Sequence, residues 1–279
     1  MRFMSNLTGR EDLAGLFWLA ALFSLLPFLM PSFGKAGAPA QYAAAVVRRV
    51  ETAHFRVEAG EVSDADLFMV CTAAERALQE LTAAGFPRRG EEKIPLKVFP
   101  DPDSLALRFG WEKGEPAMGA YYAGELGVLA PSAWMGAEKT EARFETEGPL
   151  LHELAHLVVD ELTEGNYNRW WTEGIAQYME KKLHGFRMKT PEERKRAYTM
   201  EELTFRFETL DQRQAYAQSL AAVEYIAENY SESALTAIMQ EAAARKDFDK
   251  SLSFVLGIGY NEFVQHLENS IRWDKENGV

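Results

Sequence analysis

The chain of 279 residues contains a single cysteine, Cys71, so it cannot form an intrachain disulfide. The apolar run around it, "DLFMVCTAAERAL", indicates a core position on a helix face. The sequence also has no glycine-rich phosphate loop, no evident Ser-His-Asp arrangement, no internal repeat and no low-complexity tract. These absences disfavour a nucleotide-phosphate site and a serine hydrolase.

Basic residues are scarce relative to acidic ones. Thirty Lys and Arg stand against 42 Asp and Glu, which gives a net charge of -12 and a pI near 5.0. Such a chain is repelled by nucleic acid and by anionic lipid, so a nucleic-acid partner is not expected. Apolar residues make up 47% of the chain, which is enough to form a packed core.

The N-terminus has a different composition from the rest. Residues 13–33 form a run of 21 residues without a charge, long enough to cross a bilayer as a helix. The same run is also compatible with a cleaved signal sequence, because small residues follow it at Ala36, Ala38 and Ala40. Both alternatives predict a secreted or membrane-anchored protein. We therefore divide the chain into a signal or anchor with linker, 1–40, and one domain, 41–279, outside the cytoplasmic membrane.

The hydrophobic pattern predicts an α+β fold with strands first and helices after. A short helical linker is predicted over 41–50 and a long helix over 63–85, and "GAYYAGELGVLAP" is predicted as a hairpin split at Gly124 and Glu125. The polar segment 132–148 is predicted as a loop, placed where it can cover a cleft. Beyond Trp171 the pattern is almost wholly helical. We expect a small antiparallel or mixed sheet followed by a mostly helical part.

Two of the five histidines lie four residues apart in "LLHELAHLVV". On an α-helix this spacing puts His152 and His156 on one face, where both imidazoles can reach one metal ion. Glu153 projects toward the same side, where it can take a proton from a metal-activated water without binding the metal itself. The pattern predicts a zinc site on a buried helix.

A catalytic zinc ion needs a third protein ligand. Glu173 lies 17 residues after His156, early in a second predicted helix. The turn-rich segment "LTEGNYNR" between the two helices would let the second helix pack back on the first. The competing carboxylates are Asp160, Glu161 and Glu164, and Asp160 is also a candidate hydrogen-bond acceptor for His156. His184 is a reserve ligand.

The two segments together resemble the gluzincin pattern of the peptidase MA-like zinc metallopeptidases, which include the aminopeptidase N and thermolysin groups. "HELAH" is followed by "WWTEGIAQY", where the family places a Trp-x-x-Glu-Gly-x-Ala segment at Trp170, Glu173, Gly174 and Ala176. The resemblance runs from 53 to 273 and implies that Glu173 is the third zinc ligand. Small residues at Gly174 and Ala176 are expected to let this helix approach the histidine helix closely.

The resemblance also implies an oxyanion-stabilising tyrosine within a Tyr-x-x-Gly pattern on a later helix. Tyr216 matches this position, with Ser219 in place of the glycine. The Gly-x-Met-Glu-Asn segment by which the related aminopeptidases hold a free amine is missing. An endopeptidase is therefore expected rather than an aminopeptidase, with the hairpin as the edge along which an extended peptide lies.

The sequence thus predicts a zinc metallopeptidase that acts on a peptide or protein. His152, His156 and Glu173 are its expected metal ligands, and Glu153 and Tyr216 its expected catalytic groups. The alternative is a non-catalytic zinc-containing domain that binds peptides or proteins at the cell surface. A structural zinc site would require a fourth protein ligand.

Overall fold

The computed structural model describes residues 47–114, 116–137, 139–188 and 197–277. Within these ranges a small sheet comes first and helices dominate the rest. The strands are β1 (Arg48–Glu51), β2 (Phe55–Ala59), β3 (Ile94–Phe99), β4 (Gly119–Tyr122) and β5 (Glu125–Leu129). The helices are α1 (Asp64–Ala83), α2 (Pro102–Phe109), α3 (Glu141–Glu147), α4 (Leu150–Thr163), α5 (Arg169–Met179), α6 (Met200–Phe205), α7 (Gln212–Tyr230), α8 (Glu232–Arg245), α9 (Phe248–Leu256) and α10 (Tyr260–Asn277).

The five strands form one mixed sheet in the order β1-β2-β3-β5-β4. β3 pairs in parallel with both β2 and β5, whereas β1 and β4 run antiparallel to their neighbours. β4 and β5 are joined by a two-residue turn in which Ala123 and Gly124 have φ of 49° and 82°. Positive φ at both positions is what a type I′ hairpin turn requires. The turn leaves β4 as an edge strand of the described sheet.

Several of the helices begin at side chains that satisfy their first N–H groups. Ser63 accepts from the backbone N–H of Asp66 at the start of α1, and Asp101 accepts from that of Ser104 at the start of α2. Such caps fix where a helix starts, since the first turn has no intrahelical acceptors for its donors. In α1 the cap is followed by a buried apolar face that packs against β2.

Helix α4 lies at the centre of the described structure. It contacts α1 and β4 on one side and α5 and α8 on the other. Twelve of its residues are buried, including both histidines and Glu153. α5 packs in turn against α7, so α4, α5 and α7 are consecutive neighbours. A histidine-bearing helix surrounded in this way holds its side chains in a fixed, water-poor setting.

The α+β class and the hairpin are confirmed, while two local predictions are wrong. Arg48–Val50 belongs to strand β1, not to a helical linker, because its backbone pairs with β2. The segment 132–148 is not only a loop, since it contains α3, which is capped by Thr140. No helix in the described ranges is long and apolar enough to span a membrane. The predicted signal or anchor, 13–33, lies outside those ranges.

Candidate metal centre

Helix α4 places three polar side chains close together in the core. His152 and His156 lie one turn apart with their ring centroids 4.7 Å from each other, as their spacing predicts. Both rings and the Glu153 carboxylate are 2% exposed. Buried polar groups of this kind require partners, so their neighbours determine what the site can do.

Helix α5 brings a carboxylate to both imidazoles. The Oε2 atom of Glu173 lies 3.4 Å from His152 Nε2 and 3.6 Å from His156 Nε2. Directly after α4, Glu164 and Gly165 have φ of 50° and 77°. These left-handed conformations end the helix and reverse the chain, so that α5 can pack back on α4. Two nitrogens and one oxygen therefore face a common point, and these three residues form a group able to hold a metal.

The other residues considered as ligands lie elsewhere. Each has a partner away from the two Nε2 atoms, so none completes a four-ligand site in the described part of the chain. Asp160 accepts from Tyr121 Oη at 2.6 Å, Glu161 pairs with Arg88 at 2.9 Å, Glu164 pairs with Arg89 and Lys246, and His184 lies 2.9 Å from Glu80.

Two further residues hold the imidazole rings, and neither was predicted. The Oε2 atom of Glu180 is 3.0 Å from His152 Nδ1, and Thr172 Oγ1 is 2.6 Å from His156 Nδ1. Thr172 therefore occupies the place considered for Asp160. Partners at Nδ1 fix the ring orientation and leave Nε2 to face the common point. A signal for Glu180 was present, because it follows Glu173 by seven residues and so lies on the same helix face two turns on.

Arg169 is a third side chain of the site that sequence reasoning missed. It stands one turn before Glu173 on α5, and its Nη2 lies 2.8 Å from Glu173 Oε1. The guanidinium carbon also lies 5.6 Å from the centre of the Phe207 ring, and only 5% of the residue is exposed. Oε1 of Glu173 thus faces the guanidinium, and Oε2 faces the two imidazoles.

Burial and charge shift the two site carboxylates in opposite directions. Burial alone would raise the pKa of Glu173, but Arg169 and the two imidazoles lower it to about 2. Burial raises the pKa of Glu153 to about 8, and the nearby Glu173 and Glu180 carboxylates add to that rise against the opposing charge of His152. Glu173 is therefore the permanent anion, and Glu153 is the group that can exchange a proton near neutral pH.

The two histidines also differ. Burial lowers the pKa of His156 to about 3, because the opposing charge of Glu173 is too weak to offset desolvation. Burial acts in the same sense on His152, but the carboxylates of Glu180 and Glu173 raise its pKa well above 6.5. His156 is neutral at pH 7, which is the protonation state that a metal ligand needs.

The arrangement fits a divalent cation. A tetrahedral ion at roughly 2.0 to 2.1 Å from each ligand requires ligand atoms about 3.3 Å apart, close to the observed 3.4 and 3.6 Å. His156 Nε2 and Glu173 Oε2 make no hydrogen bond to any described residue. Glu153, Glu173 and Glu180 are all buried, and a bound dication would replace the protons that Glu153 and His152 retain without it.

Tyr216 reaches the same region from α7. Its side chain is 1% exposed, and its hydroxyl has no hydrogen-bond partner within the described ranges. Burial raises its pKa well above 10, with Glu173 adding to the rise and Arg169 opposing it. The Tyr216 ring is nearly perpendicular to that of Phe207, with the centroids 5.5 Å apart, and Phe207 also lies under the Arg169 guanidinium, so Tyr216 is close to the Arg169–Glu173 pair.

Helices α5 and α7 approach closely at Gly174. A Cβ atom on Gly174 would lie 2.4 Å from the backbone oxygen of Ser219 and 2.6 Å from Val223 Cγ2. The expectation that Gly174 faces the histidine helix is therefore wrong, since its close neighbour is the Tyr216 helix. Gln177 adds a bond between the same helices, from Nε2 to the Tyr216 backbone oxygen at 2.9 Å.

The edge strand β4 passes beside the glutamate of the motif. A Cβ atom on Gly119 would lie 2.6 Å from Pro149 Cβ and 3.0 Å from Glu153 Oε1. The strand backbone can come this close only because Gly119 has no side chain. The hairpin therefore reaches the site itself, with Gly119 of its edge strand against Glu153.

One comparison with known proteins finds a family. Residues 134–272 match the model of the peptidase MA superfamily, a range that contains both histidines, Glu153, Glu173 and Tyr216. No curated protein shows significant similarity to the chain. The matched range begins before α3 and ends within α10, so it contains the residues of the metal centre but not β4. On this match, the chain belongs to the peptidase MA superfamily, whose membership indicates a metallopeptidase.

Proposed function

We propose that the protein is a zinc-dependent metallopeptidase that cleaves internal peptide bonds. The observation that carries this proposal is the convergence of His152 Nε2, His156 Nε2 and Glu173 Oε2 beside the buried Glu153 carboxylate. Two imidazoles and one carboxylate are a donor set typical of catalytic zinc, which keeps its fourth position for water. Membership of the peptidase MA superfamily supports the same reaction class.

A zinc ion held by these residues would supply a Lewis acid and an acidified water. Glu153 is the general base in this proposal. Burial raises its pKa to about 8 in the metal-free chain, so its carboxylate is a stronger base than that of an exposed glutamate, and a bound dication would favour the ionised form that accepts the proton. After water has attacked the carbonyl carbon, the protonated Glu153 gives that proton to the amide nitrogen, and the peptide bond breaks.

Tyr216 is proposed to stabilise the oxyanion. The hydroxyl is buried without a hydrogen-bond partner in the described ranges, and its raised pKa keeps it protonated at pH 7. A neutral phenol is a donor, so it can bind the negative oxygen that develops as the carbonyl becomes tetrahedral. We expect Tyr216→Phe to lower kcat by roughly 10²–10³-fold with zinc retained, and Tyr225→Phe on the same helix to leave kcat unchanged. An unchanged kcat in Tyr216→Phe would remove this role.

The substrate is proposed to be an extended peptide that adds to β4. An edge strand offers unpaired backbone groups, and main-chain pairing of that kind does not depend on a free terminus. Gly119 lies on this strand against Glu153. The missing Gly-x-Met-Glu-Asn segment also argues against recognition of a free amine.

The alternative is a zinc-containing domain that binds peptides or proteins without cleaving them. The same edge strand would serve that role, so the sheet does not separate the two functions. Glu153 and the Tyr216 hydroxyl do separate them, since both are buried near the metal centre without an evident structural task. Catalysis uses both groups, and binding alone uses neither.

The test uses the full-length chain purified in detergent. We expect about one zinc per chain, and we expect cleavage of peptides whose termini are blocked by acetylation and amidation. Glu173→Ala should lose zinc and activity, whereas Glu228→Ala, at an exposed position of α7, should keep both. Zinc without cleavage would favour the binding alternative, and a chain without bound metal would reject both functions.

We also propose that the domain acts outside the cytoplasmic membrane, on the basis of the charge-free run 13–33. Fractionation of cells that express the full chain, with N-terminal sequencing of the product, separates the alternatives. A membrane fraction with the intact N-terminus supports an anchor, and a released chain that begins near Ala40 supports a cleaved signal. A cytoplasmic product would contradict both.

A further inference from the structure

The two oxygens of Glu173 have different environments. Oε2 faces the imidazoles at 3.4 and 3.6 Å, whereas Oε1 lies 2.8 Å from Nη2 of Arg169. A glutamate can bind a metal through one oxygen or through both, and the choice changes how many positions remain for water. In this site the guanidinium occupies the side of the carboxylate that a bidentate ligand would turn toward the metal.

Arg169 is itself held in place. It is only 5% exposed, it stacks over the Phe207 ring, and its Nε lies 3.8 Å from Glu208 Oε1. A planar guanidinium fixed on several sides cannot swing away from Oε1 as a flexible lysine could. Arg169 lies four residues before Glu173, so both side chains of the pair come from one face of α5.

Fold stability alone is a weak explanation for this pair. Glu173 is completely buried and Arg169 nearly so, and the loss of hydration for two buried charges often cancels the attraction between them. An apolar pair of similar volume would fill the same space without that cost. A buried ion pair next to a metal ligand therefore needs a reason in the chemistry of that ligand.

We propose that Arg169 is a positioning residue that restricts Glu173 to one metal-facing oxygen and so keeps a coordination position open for water. This inference rests on the proposed zinc site and adds a residue that neither the motif nor the family match assigns. Arg169 contacts no substrate in this account and acts only through Glu173. Without it, Oε1 would be free to turn toward the cation, which would then be more fully coordinated by protein.

The test replaces zinc by cobalt, whose visible absorption depends on coordination number and geometry. The full-length chain in detergent is stripped of metal and reloaded with Co²⁺ as wild type, Arg169→Met and Arg169→Lys. Arg143→Met is the matched control, because Arg143 also pairs with a glutamate four residues away, Glu147, at 2.8 Å and also lies over an aromatic ring, Trp134. It differs in being away from the ligand atoms.

We expect Arg169→Met to bind cobalt with a loss of visible absorption, because a higher coordination number weakens these bands, and with turnover lowered roughly 10–100-fold. Arg169→Lys should recover part of the wild-type spectrum, since its ammonium can donate to Oε1, and Arg143→Met should match wild type. A merely structural role for Arg169 would lower stability but leave the spectrum of the bound cobalt unchanged.

Two outcomes overturn the proposal. One is a folded Arg169→Met protein with the wild-type cobalt spectrum. The other needs no variant and so stands even if Arg169→Met fails to fold: X-ray absorption of the zinc-loaded wild type that finds two carboxylate oxygens at bonding distance. Wild-type protein that binds neither zinc nor cobalt would instead reject the proposed function, and this inference with it.

Discussion

The buried Glu153 carboxyl leads to a measurable dependence of stability on pH. Its pKa is raised from 4.5 to about 8 by burial and by the Glu173 and Glu180 carboxylates. Between about pH 4 and pH 8 the unfolded chain loses this proton and the folded chain keeps it, so the free energy of unfolding falls as pH rises. At roughly 1.4 kcal/mol per pKa unit, a shift of three to four units lowers the free energy of unfolding at pH 9 by about 5 kcal/mol relative to its value below pH 4.

Glu153→Gln removes this titration while keeping the shape of the side chain. We expect the metal-stripped variant to lose much less stability between pH 5.5 and pH 8.5 than the metal-stripped wild type. The variant should still become somewhat less stable as pH rises. The reason is that the pKa of His152 is raised well above 6.5, so the stability contributed by its positive charge is also lost at high pH. The same variant should keep zinc and lose hydrolysis by roughly 10²–10⁴-fold, as expected for the loss of a general base.

The assay is urea denaturation in the presence of a chelator, followed by fluorescence at several pH values. Glu228→Gln, an exposed glutamate on α7, is the control and should follow wild type. An identical pH slope in Glu153→Gln and wild type would refute the argument that Glu153 is buried in the protonated form. Full hydrolytic activity in the variant would refute its role as the base.

Three other substitutions test the packing around the site. Gly174→Ala should lower the free energy of unfolding by about 1–3 kcal/mol in urea, because the new Cβ would overlap the Ser219 backbone oxygen, whereas Gly259→Ala, with open space around it, should change it by less than about 0.5 kcal/mol. Gly119→Ala should displace Glu153 and lower kcat by up to roughly 100-fold with zinc retained, and wild-type kcat would contradict the close approach. Glu180→Gln should weaken zinc binding by roughly 10–100-fold in competition with a chelating dye, and unchanged affinity would show that its contact with the imidazole does not matter.

The parts of the site that the sequence predicts are those that depend on helix geometry alone. His152 and His156 share a face because any α-helix puts residues four apart together. Glu173 required one tertiary assumption, that the turn-rich segment returns the second helix to the first, and the Glu173 distances support it. The fold class followed similarly from a change in hydrophobic period, from alternation to helical spacing.

The parts that the sequence did not predict depend on which helix becomes the neighbour. Asp160 lies one turn after His156 on the same helix, yet Thr172 on α5 is the partner, and Asp160 instead accepts from Tyr121. Gly174 was expected against α4 and lies against α7. Local periodicity tells which residues share a face of a helix, but not which other helix that face contacts.

The sequence of helix α5 nevertheless contains a pattern that indicates polar contacts with its neighbours. The helix is buried along most of its length, yet Arg169, Glu173 and Gln177, with Glu180 directly after its last residue, recur at intervals of four, four and three residues, which puts them on one face. A helix that is buried on all sides is expected to carry apolar residues all round. Four long polar side chains on one face must therefore find hydrogen-bond or charge partners in one another, in the neighbouring helices or in a ligand. Gln177 binds the backbone of Tyr216, Glu180 binds an imidazole, and Arg169 binds Glu173 through one oxygen. The remaining oxygen, Oε2 of Glu173, faces two imidazole nitrogens, and a cation bound at that point would complete the polar face.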